Sequence, residues 1–255
     1  MNEKTVLPVK NDYGYYEIRL ESIGGLGANL CGKMLGELGA VYLGLNSASF
    51  SSYGSEKRGS PVKAFIRWCE QDMDLRVNSP IESPHILGLF HEAMAGKLPV
   101  TAGVTEETRV IVNTGASPDE MRERLKLHAG ELTCVDAQKI AMDCKSRVNM
   151  VMLGAIVRAS GFIPLDAALS LARETIGKKY PALCEQNLEG IRRGYAEGVS
   201  RQFSDDGRFP AVPYTEARDK WGYRNAPLGG VNPRFGSSVS NDLSASREGY
   251  IPLFI

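Results

Sequence analysis

A polar stretch at residues 51–60 carries side chains well suited to binding a charged group. It holds one tyrosine, the acid Glu56 and the adjacent bases Lys57 and Arg58 among glycines and serines, and it has no aliphatic residue. Surface loops of this kind carry function disproportionately often. The two bases could clamp a carboxylate or phosphate, or they could form ion pairs with Glu56 or a neighbouring subunit. A solvated loop without function is the plain alternative.

A second candidate is the glycine-rich turn at residues 22–27, which follows an alternating strand pattern and precedes a helix pattern. Helix N-terminal amides and the close backbone approach that glycine permits both suit a phosphate. A dinucleotide site would also need an acid about 20 residues further on. The second predicted strand ends near Asn46 without one. A structural turn and an anion-binding turn both stay open, and the residues concerned are Gly24, Gly25, Gly27 and Ala28.

The other reactive residues form no catalytic or metal-binding pattern. His85 lies in an apolar strand and is expected in the core, His91 follows that strand, and His128 has no nucleophile beside it. The five cysteines are dispersed, without the close spacing of zinc sites and iron–sulfur clusters. We therefore expect buried free thiols, no metal and no catalytic residue on this chain.

The composition excludes several classes of protein. Thirty basic residues balance thirty acidic ones, which gives no electrostatic case for binding nucleic acid or a membrane surface. No apolar run is long enough to span a bilayer, and the N-terminus shows no signal-peptide pattern. These observations predict a cytoplasmic protein.

Strand and helix patterns alternate along most of the chain. Strands are predicted at 15–23, 40–45, 62–68, 84–90, 108–113 and 131–135, and helices at 28–38, 117–128, 149–159, 164–177 and 181–203. The continuous apolar runs at 84–90 and 108–113 indicate parallel strands that are buried on both faces. The alternation predicts an α/β fold: a doubly wound, mostly parallel, Rossmann-like sheet with helices on both faces.

The pattern changes at residue 204, where turn-forming residues end all periodicity. Ordering a residue costs about 1–2 kcal/mol, so this stretch cannot be stable alone. It still contains Trp221, Tyr223, Phe235, Tyr250 and Phe254, which disordered segments usually lack. We expect a folded domain at 1–203 and an extended C-terminal arm at 204–255 that orders against another subunit. A poorly ordered terminus is the alternative.

Four segments, in this order, resemble the γ subunit of the 2-oxoacid:ferredoxin oxidoreductases. Residues 22–27 are similar to the family turn Gly-x-Gly-Gly-Gln-Gly, 52–60 to the loop Ser-Tyr-Gly-x-Glu-x-Arg-Gly-Gly, 149–155 to the helix start Asn-x-x-x-Leu-Gly, and 241–252 to a run that precedes an iron–sulfur module in some relatives. Ser22 and Leu26 replace a glycine and the glutamine of the family turn.

The resemblance implies a γ-type domain over 1–203, with the arm leading toward a ferredoxin-like partner or segment. It also implies oxidative decarboxylation of a 2-oxoacid, usually to an acyl-coenzyme A. Thiamine diphosphate, Mg²⁺ and [4Fe-4S] clusters would lie on α, β and δ subunits, with ferredoxin as electron acceptor. Coenzyme A (CoA) would be a co-substrate that the glycine turn helps to bind. The expected interface or substrate-cleft residues are Ser52, Tyr53, Gly54, Glu56, Arg58 and Gly59.

The sequence also admits two other classes of protein. A free-standing Rossmann-type NAD(P)-dependent oxidoreductase would use the glycine turn for a dinucleotide, and the missing acid counts against it. A non-catalytic assembly protein unrelated to oxidoreductases is disfavoured by the ordered set of four matches.

Overall fold

In the computed structural model, residues 5–53 and 61–214 are described, and these contain one seven-stranded sheet in the order β2-β3-β1-β4-β5-β6-β7. The strands are β1 (Tyr16–Ile23), β2 (Asn46–Tyr53), β3 (Pro61–Cys69), β4 (Ile86–Leu89), β5 (Arg109–Asn113), β6 (Gly130–Val135) and β7 (Val199–Phe203). Only β3 and β7 run against the other strands. The predicted α/β class and mostly parallel sheet are confirmed.

Helices cover both faces of the sheet, but unequally. They are α1 (Ala28–Glu37), α2 (Pro118–Leu125), α3 (Ala137–Cys144), α4 (Val148–Ser160), α5 (Leu165–Ala172) and α6 (Cys184–Ala196). The main core lies under α1 and α3 to α6, whereas α2 packs with the smaller core on the opposite face. The chain therefore leaves β1 toward one face and β4 toward the other, and such a switch point marks the usual ligand crevice of an open α/β sheet.

The two faces of β1 differ sharply in chemistry. Ile18 and Leu20 point into the main core as predicted. The alternate residues Glu17, Arg19 and Glu21 are charged and yet buried. Arg19 donates to four backbone carbonyls, two in the connection before β4 and two in the connection after it. Its guanidinium therefore holds both connections against the sheet. The sequence analysis did not predict these buried charges.

Helix α4 is held at close range by α6, because glycines lie where the two helices cross. A Cβ on Gly154 would lie 2.0 Å from the carbonyl oxygen of Ile191, and one on Gly194 would lie 2.0 Å from that of Val151. Only glycine allows this approach. The packing fixes α4 across the sheet, with its first turn beside the glycine turn and its last turn at the amino ends of the parallel strands.

The predicted strand at 40–45 is wrong. A π-helical turn at Leu38–Tyr42 prolongs α1, and the strand begins only at Asn46. Gly39 packs against the Trp68 ring at this point. The serine-rich β2 forms because each of its residues pairs with a residue of β3. Ser52 and Tyr53, which the sequence analysis placed in a loop, therefore belong to β2.

The predicted helical finish at 181–203 is also wrong. Helix α6 ends at Ala196, and the chain turns at Gly198 into β7, which pairs antiparallel with β6. The sheet thus gains an edge strand that propensity alone did not indicate. Helix α2 ends earlier than predicted, since Lys126 adopts a left-handed φ of 51°, and α3 was not predicted at all.

Beyond β7, residues 204–214 form no helix or strand, and residues 215–255 lie outside the described part. The division at 203/204 and the arm at 204–255 therefore stay predictions. No helix among the described residues is long and apolar enough to cross a membrane.

Candidate functional site

The glycine turn lies at the carboxyl end of β1 and delivers the chain into α1. Gly25 has φ 108° and Gly27 has φ 84°, conformations that residues with a side chain rarely adopt. Gly27 is the N-cap residue of α1, and no side chain caps this helix or places an acid in its first turn. Gly24, Gly25, Gly27 and Ala28 thus present a helix N-terminus at the switch point of the sheet.

The two departures from the family turn do not disturb this geometry. Ser22 is the penultimate residue of β1, where it pairs with Val62 and donates its hydroxyl to the Ile23 carbonyl at 3.0 Å. Its backbone is extended, so no glycine is required there. Leu26 packs against the main core and lines the cleft beside the turn. The turn keeps glycine at both positions where φ is positive.

Asn149, in the first turn of α4, lies directly beside the glycine turn. Its side-chain amide would be 2.9 Å from a Cβ on Gly27, so the absence of a side chain on Gly27 is what leaves room for it. The residue is only 3% exposed. Its amide makes no hydrogen bond with another described residue, and Asn149 lines the cleft beside the turn, so the amide is open to a ligand there.

A cleft of about 630 Å³ opens between the glycine turn and the α3–α4 connection. We call it the turn cleft; it is lined by Gly25, Leu26, Gly27, Leu30, Gln138, Ala141, Met142, Lys145, Ser146, Arg147, Val148 and Asn149. Its only charged lining residues are the bases Lys145 and Arg147, and no acid among the described residues lines the cleft. Leu30 and Met142 are exposed and form an apolar wall.

The electrostatics of the turn cleft favour an anion. Helices α2 and α3 have side-chain caps, from Ser117 and Asp136. By contrast α1 and α4 have none, and both begin at this cleft with no acid in their first turns. Two uncapped N-termini, each carrying a partial positive charge, therefore meet two basic side chains. A phosphate would satisfy all of these groups.

The neighbouring strand does not match a dinucleotide-binding unit. In such a unit the strand after the glycine turn and its helix is parallel to β1 and lies beside it. Here the antiparallel β3 occupies that place, and β2 lies one position further out at the sheet edge. The crevice therefore lacks the strand end that would present an acid to a ribose.

The other reactive residues have structural partners. His91 accepts the amide of Ala93 at 3.1 Å and caps a short 3₁₀ turn, and His128 is buried. Burial raises the pKa of the Cys134 thiol to about 12, and the pKa of Cys31 is also raised by burial, so neither is a ready nucleophile. Within the described ranges, no group of His, Cys, Asp or Glu is placed to hold a metal ion.

The predicted interface loop is described only at its start. Ser52 and Tyr53 pair with Lys63 and Val62 in the ladder between β2 and β3. The remaining predicted residues, Gly54, Glu56, Arg58 and Gly59, lie outside the described residues. The assignment of this loop to an interface or a substrate cleft therefore stays a prediction.

The sequence analysis missed the basic side of the turn cleft, Lys145 and Arg147. Both belong to a connection whose preceding helix was not predicted. Asp136 followed by apolar residues at 137, 140 and 141 is an N-cap and helix pattern, and it could have indicated α3. Only the tertiary packing of α4, however, brings these bases to the glycine turn.

Comparison with known proteins gives consistent matches. The model of the family described as pyruvate ferredoxin/flavodoxin oxidoreductase matches residues 17–197. The chain is 33% identical to pyruvate synthase subunit PorC of Thermotoga maritima, over 72% of this chain and 94% of that protein. It is 32% identical to the common γ subunit of the pyruvate/ketoisovalerate oxidoreductases of Thermococcus kodakarensis, over 72% and 97%.

A solved structure agrees. The crystal structure of the pyruvate oxidoreductase subunit PORC from Thermotoga maritima superposes with a TM-score of 0.64 at 28% identity, covering 74% of this chain and 99% of that one. The similarity therefore extends over almost the whole of each of these relatives.

Proposed function

Because this chain belongs to the pyruvate ferredoxin/flavodoxin oxidoreductase family as a γ-type subunit, we propose that its turn cleft binds CoA for a thiamine diphosphate- and iron–sulfur-dependent complex. In that complex a 2-oxoacid and CoA yield an acyl-CoA and CO₂, and the two electrons released pass to ferredoxin. We place the complex in the cytoplasm.

The observation that carries the proposal is the amide of Asn149, which lines the turn cleft beside the glycine turn and makes no hydrogen bond with another described residue. It can donate to a phosphate oxygen that also accepts from the first amides of α1 and α4. Lys145 and Arg147 would neutralise the phosphate charge. Leu30 and Met142 would contact the less polar part of the ligand. A molecule that joins phosphates to an apolar arm, as CoA does, fits this combination.

The same cleft does not suit the other cofactors. Thiamine diphosphate acts through a metal-held diphosphate, and clusters need thiolate ligands. The described part of this chain offers neither a metal-binding group nor paired cysteines. We therefore assign thiamine diphosphate, Mg²⁺ and the [4Fe-4S] clusters to the α, β and δ subunits.

We further propose that Ser52, Tyr53, Gly54, Glu56, Arg58 and Gly59 contact a partner subunit near the substrate. This loop continues from β2, whose edge lies beside α1. In this arrangement the chain would act as a scaffold that presents CoA to chemistry performed on its partners.

The test is steady-state kinetics of the purified complex with CoA as the varied substrate. Replacing both bases (Lys145→Ala with Arg147→Ala) should raise the KM for CoA about tenfold with little change in kcat, because only anion binding is lost. Asn149→Asp has nearly the same shape but places a carboxylate beside the phosphate, and it should have a larger effect. Lys139→Ala is the matched control, since this base lies on the neighbouring helix α3 but does not line the turn cleft.

The readout separates binding from assembly. Each variant complex is first checked for its full set of subunits and for CoA-independent decarboxylation of the 2-oxoacid, which should be retained. If the double variant and Asn149→Asp both keep the wild-type KM for CoA, the turn is purely structural and the proposal fails.

A further inference from the structure

A second cleft lies at the amino ends of the parallel strands, whereas the turn cleft lies at their carboxyl ends. We call it the far cleft; its volume is about 480 Å³, within the range of ligand-binding clefts. It is formed where β1, β4, β5 and β6 begin, where α4 ends, and where the N-terminal segment passes over them. Its lining residues are Pro8, Val9, Tyr16, His85, Glu106, Glu107, Arg109, Glu131, Ser160, Gly161, Phe162 and Gln202.

The floor of the far cleft presents two hydrogen-bond donors. Tyr16 and His85 stack at 4.8 Å between ring centroids. His85 Nδ1 accepts the Glu17 amide at 3.0 Å, so the neutral ring carries its proton on Nε2. Burial raises the pKa of Tyr16, so its hydroxyl stays protonated. Tyr16 is only 3% exposed, and its hydroxyl has no hydrogen-bond partner within residues 5–53 and 61–214.

The rim of the far cleft is acidic. Glu106, Glu107 and Glu131 face one base, Arg109. Arg109 is already engaged: it donates to the Ala159 and Ser160 carbonyls at the end of α4 and lies 3.5 Å from Glu131. Glu107 forms no hydrogen bond or ion pair with any described residue. The rim therefore keeps a surplus of negative charge, and the negative end of the α4 dipole adds to it.

We propose that the far cleft is a docking site for a basic segment of a partner subunit. Such a segment supplies both groups that the cleft lacks: a backbone carbonyl to accept from Tyr16 and His85, and an Arg or Lys side chain for the acidic rim. Val9, 45% exposed, and Phe162 provide the apolar wall along which a long basic side chain can lie. The chain is a subunit of a multi-subunit oxidoreductase, so a protein occupant is available.

The experiment measures association of the full chain with the remaining subunits of its complex at low and high salt. Glu107→Gln with Glu131→Gln should weaken association about fivefold to tenfold at low salt, because two rim charges are lost. The effect should shrink as salt is raised. Tyr16→Phe removes only the hydroxyl and should weaken association about fivefold at either salt concentration.

The control is Glu185→Gln with Glu189→Gln, which removes the same charge from α6, away from the far cleft. The proposal is overturned if the rim variant and the control associate equally well, or if Tyr16→Phe has no effect. It is also overturned if the variants assemble normally and only lose binding of argininamide, because the cleft would then take a small organic cation. Circular dichroism of each variant chain confirms that the fold is retained.

Discussion

The two ends of α4 carry opposite partial charges, and at each end some nearby side chains have the sign that disfavours helix stability. The N-terminal end carries partial positive charge, yet Lys145 and Arg147 surround it and no acid caps it. The C-terminal end carries partial negative charge and has Arg158 in its last turn, yet three glutamates lie at the rim of the cleft there. Charges of the wrong sign cost about 0.3–1 kcal/mol each at a helix end.

The comparison teaches where ligands are expected. A surface under selection for stability alone would place acids at the first turn and bases at the last. Local rules of this kind are usually broken at functional sites. At the C-terminal end of α4, Arg109 offsets part of the cost. At the N-terminal end, no acid of the described chain lines the turn cleft to offset the charge of Lys145 and Arg147. An anion at one end and a cation at the other would remove both costs.

The largest expected effect comes from moving α4 itself, since this one helix shapes both clefts. Gly154→Ala places a methyl group 2.0 Å from the Ile191 carbonyl oxygen, and the α6 backbone cannot yield without repacking. We expect the free energy of unfolding to fall by about 3 kcal/mol. Urea denaturation of the full chain measures this loss, and the surviving fraction should be impaired at both clefts.

Gly190→Ala is the matched control for that experiment. It lies on the same helix pair, but a Cβ there meets the side chain of Ser146, with its hydroxyl at 2.4 Å. The hydroxyl can rotate away, and the Ser146 Cβ, which would lie at 2.9 Å, needs only a small shift of the α3–α4 connection, so a loss of only about 1 kcal/mol is expected. Equal losses for the two variants would show that the close helix crossing does not fix α4.

A smaller loss of stability is expected when Arg109 is replaced, because this base acts only at the C-terminal end of α4. Arg109→Ala removes the donor to the Ala159 and Ser160 carbonyls and leaves the glutamates unopposed. The free energy of unfolding should fall by about 1 kcal/mol, most clearly at low salt. Arg109→Lys should recover part of the loss, since lysine keeps the positive charge but lacks the planar guanidinium that donates to two carbonyls at once.

The comparison variant is Arg124→Ala, which breaks an exposed ion pair with Glu92. Exposed pairs contribute little, so its unfolding midpoint should barely move. If Arg109→Ala is as mild as Arg124→Ala, Arg109 does not cap α4, and the asymmetry between the two ends loses its structural basis.

Local sequence signals predicted the elements that depend on local chemistry. The helix predicted to begin at residue 117 does begin there, because Ser117 and Glu120 form a complete capping box and Pro118 follows in the first turn. The apolar runs predicted the parallel strands β4 and β5. These signals are sufficient because the residues that decide the structure are neighbours in the chain.

Features decided by distant partners were not predictable in the same way. The polar strands β2 and β7 form because β3 and β6 complete their hydrogen bonds. The glycine turn was identified from sequence, but the bases opposite it were not, because α4 brings them there by packing against α6. The far cleft was missed for the same reason, since its residues come from seven separate segments.

The smallest effect concerns the protonation of His85 on the floor of the far cleft. Burial lowers the pKa of His85 below its ordinary value of 6.5, so below that pH the unfolded chain takes up a proton that the folded chain resists. Stability should therefore fall as pH drops from about 6.5 toward the folded-state pKa. Protonation would also put a hydrogen on Nδ1, where the Glu17 amide now donates. In His85→Gln, urea midpoints between pH 7.5 and 5.5 should decline less steeply than in the wild type, by a difference smaller than either loss above. A variant with the wild-type slope would show that protonation of His85 does not contribute to the pH dependence, and that the floor of the far cleft accommodates a charged imidazolium.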